Sequence, residues 1–199
     1  MCVCARYQAD PKESHELAVK RIFRYLKGKP SLGLWYPKEG GFDLFAYTDS
    51  DFGGDNFNRK STSGGCQFLG NRLVSWQCKK QTNVSVSTAE AEYIAASQCC
   101  SQVLWIQNQM LDYGFNFLKT PIHIDNQAAY FITKNPVQHS KTKHIEIRFH
   151  FLRDNAEKGT IELVQIETEY QLADLFTKAF DPSRFEYLIK EIGMINLEE

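Results

Sequence analysis

The chain has 199 residues, 43% of them hydrophobic, and a formal net charge of −1. That length buries a full core for one domain plus an appendage, and the near-neutral charge excludes a global pull toward nucleic acid, so any polyanion contact rests on local patches. The six cysteines (Cys2, Cys4, Cys66, Cys78, Cys99, Cys100) show no C-x-x-C spacing, which argues against a zinc site or a disulfide framework and fits a reducing compartment.

No apolar run approaches membrane-spanning length and the N-terminus lacks a signal-peptide apolar region, so a soluble, intracellular protein without a membrane partner is expected. Residues 1–40 read as a helical appendage. Lys12 to Lys27 places Leu17, Ala18, Ile22 and Leu26 on one helical face, with Lys20, Arg21, Arg24 and Lys27 around it, and Gly28-Lys29-Pro30 stops the helix. Such a helix is either a solvated surface element or a phosphate-contacting one. Residues 41–199 read as the main domain.

Phe42 to Thr48 is an aromatic-rich central strand closed by Asp49-Ser50-Asp51 and a Gly53-Gly54 break. Thr62 to Leu69 and Leu73 to Cys78 are two further strands joined at Gly70-Asn71, and Gly64-Gly65 weakens the start of the first. Lys79-Lys80-Gln81 is a polar loop. The longest helix then starts at Ser87 and ends at Gly114. Ser87 and Glu90 have capping-box spacing, in which each side chain satisfies a free backbone N–H. Glu92 heads an apolar stripe through Ala95, Ala96, Cys99, Val103, Ile106 and Met110, whereas Glu90 points the opposite way with Ser97, Ser101 and Asn108. A carboxylate in line with a buried stripe is costly without a compensating cation, so something electropositive is expected beside Glu92.

Pro121 to Ile124 is a short strand closed by Asp125-Asn126, followed by a helix from Gln127 to Lys134. A basic loop, His139 to Lys143, leads into a helix from His144 to Lys158. Ile161 to Ile166 is a strand, Thr168 opens a helix through Phe180, and a last helix runs from Ser183 to Glu191. The order gives an α/β fold: three antiparallel strands, then two parallel ones, in a mixed five-stranded sheet with helices on both faces.

Asp49 and Asp125 close predicted strands. If those strands are parallel neighbours, both carboxylates emerge at one sheet edge, where open α/β sheets hold ligands, and Glu92 enters from the helix packed across that sheet. Three close carboxylates demand cations, and oxygen-only ligation selects Mg²⁺ or Mn²⁺. Two such ions support phosphodiester hydrolysis. Each aspartate alone is weak evidence, since Asp is common at strand ends and turns.

The segments Tyr47-Thr48-Asp49-Ser50-Asp51, Lys60-Ser61-Thr62-Ser63-Gly64-Gly65, Ser87 to Tyr93, Asp125-Asn126-Gln127-Ala128-Ala129, Thr142 to Arg148 and Ala173-Asp174-Leu175-Phe176-Thr177-Lys178 occur in that order. Together they resemble the ribonuclease H domain of copia-type LTR retrotransposon polyproteins. His15 to Gly28 resembles the end of the reverse transcriptase of the same polyproteins. The resemblance implies a ribonuclease H-like fold and cleavage of the RNA strand of RNA:DNA hybrids. It also implies two Mg²⁺ (or Mn²⁺) ions, with the hybrid and the reverse transcriptase domain as partners, acting in the cytoplasm within virus-like particles. It carries four metal-binding, catalytic carboxylates onto Asp49, Glu92, Asp125 and Asp174. Only the resemblance promotes Asp174, which the helical reading places opposite the buried face of Leu172, Leu175, Phe176, Ala179 and Phe180. Gln127 and Asn83 fall where ribonuclease H amides reach RNA, and Lys79, Lys80, Lys141, Lys143 and Arg148 are candidate phosphate contacts.

Other ribonucleases H carry a His shortly before the last aspartate, and Ile161 to Gln171 has none. Either that role is dispensed with or another residue supplies it; His144 is weighed as a substitute against a plain helix cap. Two rival readings stand beside this one. An integrase-like triad of Asp49, Asp125 and Glu162 requires its glutamate on a helix, whereas Ile161 to Val164 reads as a strand. A non-catalytic nucleic-acid-binding module derived from a retrotransposon fragment is the alternative from a different class.

Overall fold

The computed structural model describes residues 4–5, 7–55, 57–134 and 146–197. These form two compact units. The smaller takes the chain up to Trp35 together with the residues from Met194 on. It contains helix α1 (Glu13–Gly28) and strand β1 (Leu32–Leu34), the latter paired antiparallel with a C-terminal strand, Met194–Asn196. No residue of α1 is buried, and Leu17, Phe23 and Leu26 on it are exposed. Neither short strand is signalled in the sequence, since three residues carry too little alternation to read.

The larger unit, Tyr36–Gly193, is built on strands β2 (Leu44–Asp51), β3 (Thr62–Leu69), β4 (Arg72–Lys80), β5 (Thr120–Ile124) and β6 (Ile161–Gln165). They form one mixed sheet in the order β4-β3-β2-β5-β6. β2, β3 and β4 are antiparallel neighbours, while β5 runs parallel to both β2 and β6. Helices α2 (Thr88–Asp112), α3 (Gln127–Lys134), α4 (Glu146–Glu157) and α5 (Pro182–Glu191) complete the unit. Asp49 to Asp51, expected just beyond the strand, belong to β2, and Lys79 and Lys80 belong to β4 instead of a loop, because both extensions find ladder partners on β3.

Alternation along β2 buries Leu44, Ala46 and Thr48. Leu44 and Ala46 join Ile122 and Ile124 of β5 in packing against Ala96, Cys99, Val103 and Ile106 of α2. Each aliphatic side chain enclosed in this way contributes about 1.5–3 kcal/mol. The opposite face carries aromatic pairs, Phe45 stacked on Phe68 and Tyr47 on His123, with ring centroids 5.1 and 4.5 Å apart. Burial pushes the Cys99 and Cys100 thiols up to about 12, so both are inert. Among the described residues the cysteines are free, and no helix is long and apolar enough to cross a membrane.

Three expectations need correction. The stretch from Thr168 is not one α-helix but two short 3₁₀ segments, Thr168–Tyr170 and Leu172–Phe176. Glu90, expected to point away from the buried stripe, is itself buried: Glu90 to Ser97 are buried without a break, because the chain before α2 folds back over it. Gln81 Nε2 donates to the Ala91 carbonyl at 2.9 Å, and Ser85 Oγ donates to Gln81 Oε1 at 3.0 Å. The cap also differs in detail. Ser87 Oγ accepts from Glu90 N, but Glu90 Oε2 accepts from Val86 N at 2.7 Å, one residue earlier than a capping box requires. Glu90→Gln keeps an oxygen acceptor for that N–H, so it is expected to cost no more than about 1 kcal/mol in a denaturant titration. A larger loss would assign the Glu90 charge a role of its own.

Candidate active site

The parallel pairing of β2 and β5 decides where the site lies. Asp49, near the carboxyl end of β2, and Asp125, directly after β5, emerge at the same edge of the sheet. Glu92 projects toward them from the start of α2. Ligand oxygens of these three residues lie within 4.8 Å of one another.

Glu92 is 6% exposed. Its Oε1 accepts from the Ser50 N–H at 3.1 Å, while Oε2 is buried without a hydrogen-bond partner among the described residues. Burial first, then the charges of Asp49 and Asp125, push its carboxyl up to about 10. The electropositive neighbour expected there is only that N–H: no Lys or Arg pairs with Glu92 among the described residues. Asp125 is likewise raised by burial and by Asp49, against hydrogen bonds from Thr168 and Gln171. Asp51, one position beyond Ser50, is also raised by burial and then by Asp49.

Asp174 is buried, not opposite the apolar face. A 3₁₀ segment turns in three residues instead of 3.6, and this shifts the phase that a helical reading assigns. Burial pushes its carboxyl up to about 7, with Lys178 pulling against the shift and Asp49 adding to it. Lys178 Nζ lies 2.7 Å from Asp174 Oδ1. Burial opposes the lysine's charge, but Asp174, Asp49 and Asp125 outweigh it and hold the ammonium above its ordinary value.

Three supporting residues escaped the sequence reading. Thr177 Oγ1 donates to Asp49 Oδ2. Gln171, wholly buried, donates from Nε2 to the Thr48 carbonyl at 2.9 Å and accepts from Ala173 N at 3.2 Å. Gly64 faces Asp49 across the β2–β3 ladder, and a Cβ there would lie 2.5 Å from Thr177 Cγ2 and 2.8 Å from the Ala173 carbonyl oxygen. The sequence traces of this layer are a Gly64-Gly65 pair inside a strand and a glutamine placed directly before an apolar run.

Among the candidate substrate contacts, Lys79, Asn83 and Gln127 are exposed. Lys80 is paired with Asp55. Lys141, Lys143 and His144 lie outside the described residues, and Arg148 falls within α4. Glu162 is exposed on β6 and is not part of the carboxylate cluster, which leaves the integrase-like reading without its third acid.

No family model matches the chain. It is 38% identical over 185 residues to the retrovirus-related Pol polyprotein from transposon RE1 of Arabidopsis thaliana, covering 92% of this chain and 13% of that protein. It is 35% identical over 194 residues to the retrovirus-related Pol polyprotein from transposon TNT 1-94 of Nicotiana tabacum, covering 96% and 14% respectively. The chain therefore spans about an eighth of the length of these relatives. LC11-RNase H1, solved in complex with an RNA/DNA hybrid, matches 68% of this chain and 94% of its own at 13% identity with a TM-score of 0.50, a likeness in fold. The chain belongs to the Pol polyproteins of copia-type retrotransposons and has a ribonuclease H-like fold.

Proposed function

We propose that this domain is a metal-dependent endonuclease that hydrolyses the RNA strand of RNA:DNA hybrids during reverse transcription of the element. The observation that carries the reading is the buried Asp49–Glu92–Asp125 cluster with its orphaned Glu92 Oε2. Buried polar atoms in native folds find partners. A carboxylate oxygen left over in a nest of like charges is a ligand waiting for a cation. The donor set is all oxygen, which suits Mg²⁺ or Mn²⁺ and not softer ions. Asp49, Glu92, Asp125 and Asp174 would hold them, and a pair of such ions supplies an activated water and a stabilised leaving oxygen.

The chain's own residues set the geometry. Ser50 N–H and Thr177 Oγ fix one oxygen each of Glu92 and Asp49, so that their remaining oxygens are presented in fixed directions. Gln171 ties Thr48, next to Asp49, to the segment that bears Asp174. Lys79, Asn83 and Gln127 are exposed and suited to phosphates and 2′-hydroxyls, the groups that distinguish a hybrid by shape. Lys80 contributes only if its pair with Asp55 opens. Lys141, Lys143 and Arg148 add basic charge in the sequence that leads into and through the start of α4. The reverse transcriptase of the same polyprotein, whose end the segment 1–40 represents in this reading, is the natural partner in presenting the hybrid.

The test is a labelled hybrid incubated with the protein in Mg²⁺, Mn²⁺ or EDTA, repeated for Asp49→Asn. Cleavage of the RNA strand that needs a divalent ion and disappears in the variant is the expected result. Wild-type protein that binds the hybrid tightly yet never cuts it would sink the nuclease reading in favour of a binding module.

A further inference from the structure

Asp174 is closed to solvent, yet one cation already meets it. Lys178 reaches in from the rim with its side chain 41% exposed and brings Nζ to 2.7 Å from Asp174 Oδ1. The same Nζ stands 5.8 Å from the centre of the Phe180 ring, an aromatic face that attracts cations. Lys178 is thus held at one end by a buried carboxylate and offered a second resting place beside it.

We infer that Lys178 is a built-in place-holder: it neutralises Asp174 while the site is metal-free and competes with the divalent ion that Asp174 would ligate. The inference rests on the metal-site reading above. An ion on Asp174 and the Lys178 ammonium would claim the same carboxylate from a few ångströms apart, and like charges that close repel strongly where water is scarce. The ammonium has somewhere to go, because its stem is half in solvent and the Phe180 ring lies within reach. Asp49 and Asp125 feel the same ammonium at longer range, but among the described residues its direct ion pair is with Asp174. Two ions should therefore bind with unequal affinity, the weaker one on the Asp174 side. Lys178 acts through Asp174 and is a positioning residue.

Calorimetric titration of Mn²⁺ into the substrate-free protein tests this, together with melting in EDTA. Wild type should show two sites at least ten-fold apart in affinity. Lys178→Met should tighten the weaker site at least ten-fold and lower the melting temperature in EDTA, because Asp174 loses its partner. Lys178→Arg, which keeps the charge, should stay near wild type on both measures. Unchanged or weakened Mn²⁺ affinity in Lys178→Met, beside a wild type that binds two ions, would overturn the inference and leave the metal site standing. No Mn²⁺ binding by any of the three proteins would remove the metal site itself.

Discussion

Glu92→Gln is expected to make the metal-free protein more stable and to abolish hybrid cleavage. The pH dependence shows why both effects come from one carboxylate. Glu92 is raised from about 4.5 to about 10 by burial and by Asp49 and Asp125, so the folded state holds its proton where the unfolded chain releases it. The sign follows: the stability this group confers is fully present below pH 4.5 and is lost as pH rises toward about 10, with a slope of at most about 1.4 kcal/mol per pH unit. Asp174, raised to about 7, adds a loss in the same direction over the lower part of that window. In EDTA, wild type should melt progressively lower from pH 5 to pH 9. Glu92→Gln should flatten most of that decline, diverging from wild type at pH 8 and coinciding with it near pH 5. Saturating Mg²⁺ should flatten the wild-type profile in the same way and raise the variant much less. A Gln variant that is less stable than wild type at pH 9 without metal would contradict the repulsion argument.

The second large effect is expected from Gly64→Ala, a change of one methyl group outside the carboxylates. The new Cβ would meet Thr177 Cγ2 at 2.5 Å and the Ala173 carbonyl oxygen at 2.8 Å. The first can rotate, but the second is backbone and can yield only if the 3₁₀ segment lifts from β3. Such overpacking typically costs about 1–3 kcal/mol, or roughly 2–12 °C of melting temperature for a unit of this size. The functional loss should exceed the structural one, because the displaced segment carries Asp174 and the Thr177 hydroxyl that holds Asp49. Mn²⁺ titration at a temperature where the variant is fully folded separates the two. Native ion affinity in folded Gly64→Ala would show that the close approach of this segment is not what builds the site.

Much of the molecule is legible in the chain because its signals are local. The meander reads from Gly70-Asn71 between alternating runs, and the long helix from its Ser87 cap and 3.6-residue stripe. The stripe also separates Glu92 from Glu90 by direction, although it misses that both are buried, since the cover over Glu90 comes from Gln81, Ser85 and Val86, which no periodicity within the helix can report. Asp174 fails for a different reason: a run of apolar residues does not distinguish 3.6 from three residues per turn, and its facing depends on that difference. Gly64 reads as a weak spot in a strand, and its role as a landing site for Ala173 and Thr177 belongs to a contact more than a hundred positions away. Lys178 stands in the sequence only as the end of the segment from Ala173, and its contact with Asp174 follows from the fold.

The bonds from Gln171 to Thr48 and from Thr177 to Asp49 span 123 and 128 positions of sequence. Such distant closures come late, after the hairpins and helices that need only neighbours. A ribosome that has delivered β1 to β4 and the long helix has made Asp49 and Glu92, but neither Thr177, which holds Asp49, nor Asp174. The layer of hydrogen bonds beneath the carboxylates is therefore complete only once the stretch through Lys178 has emerged.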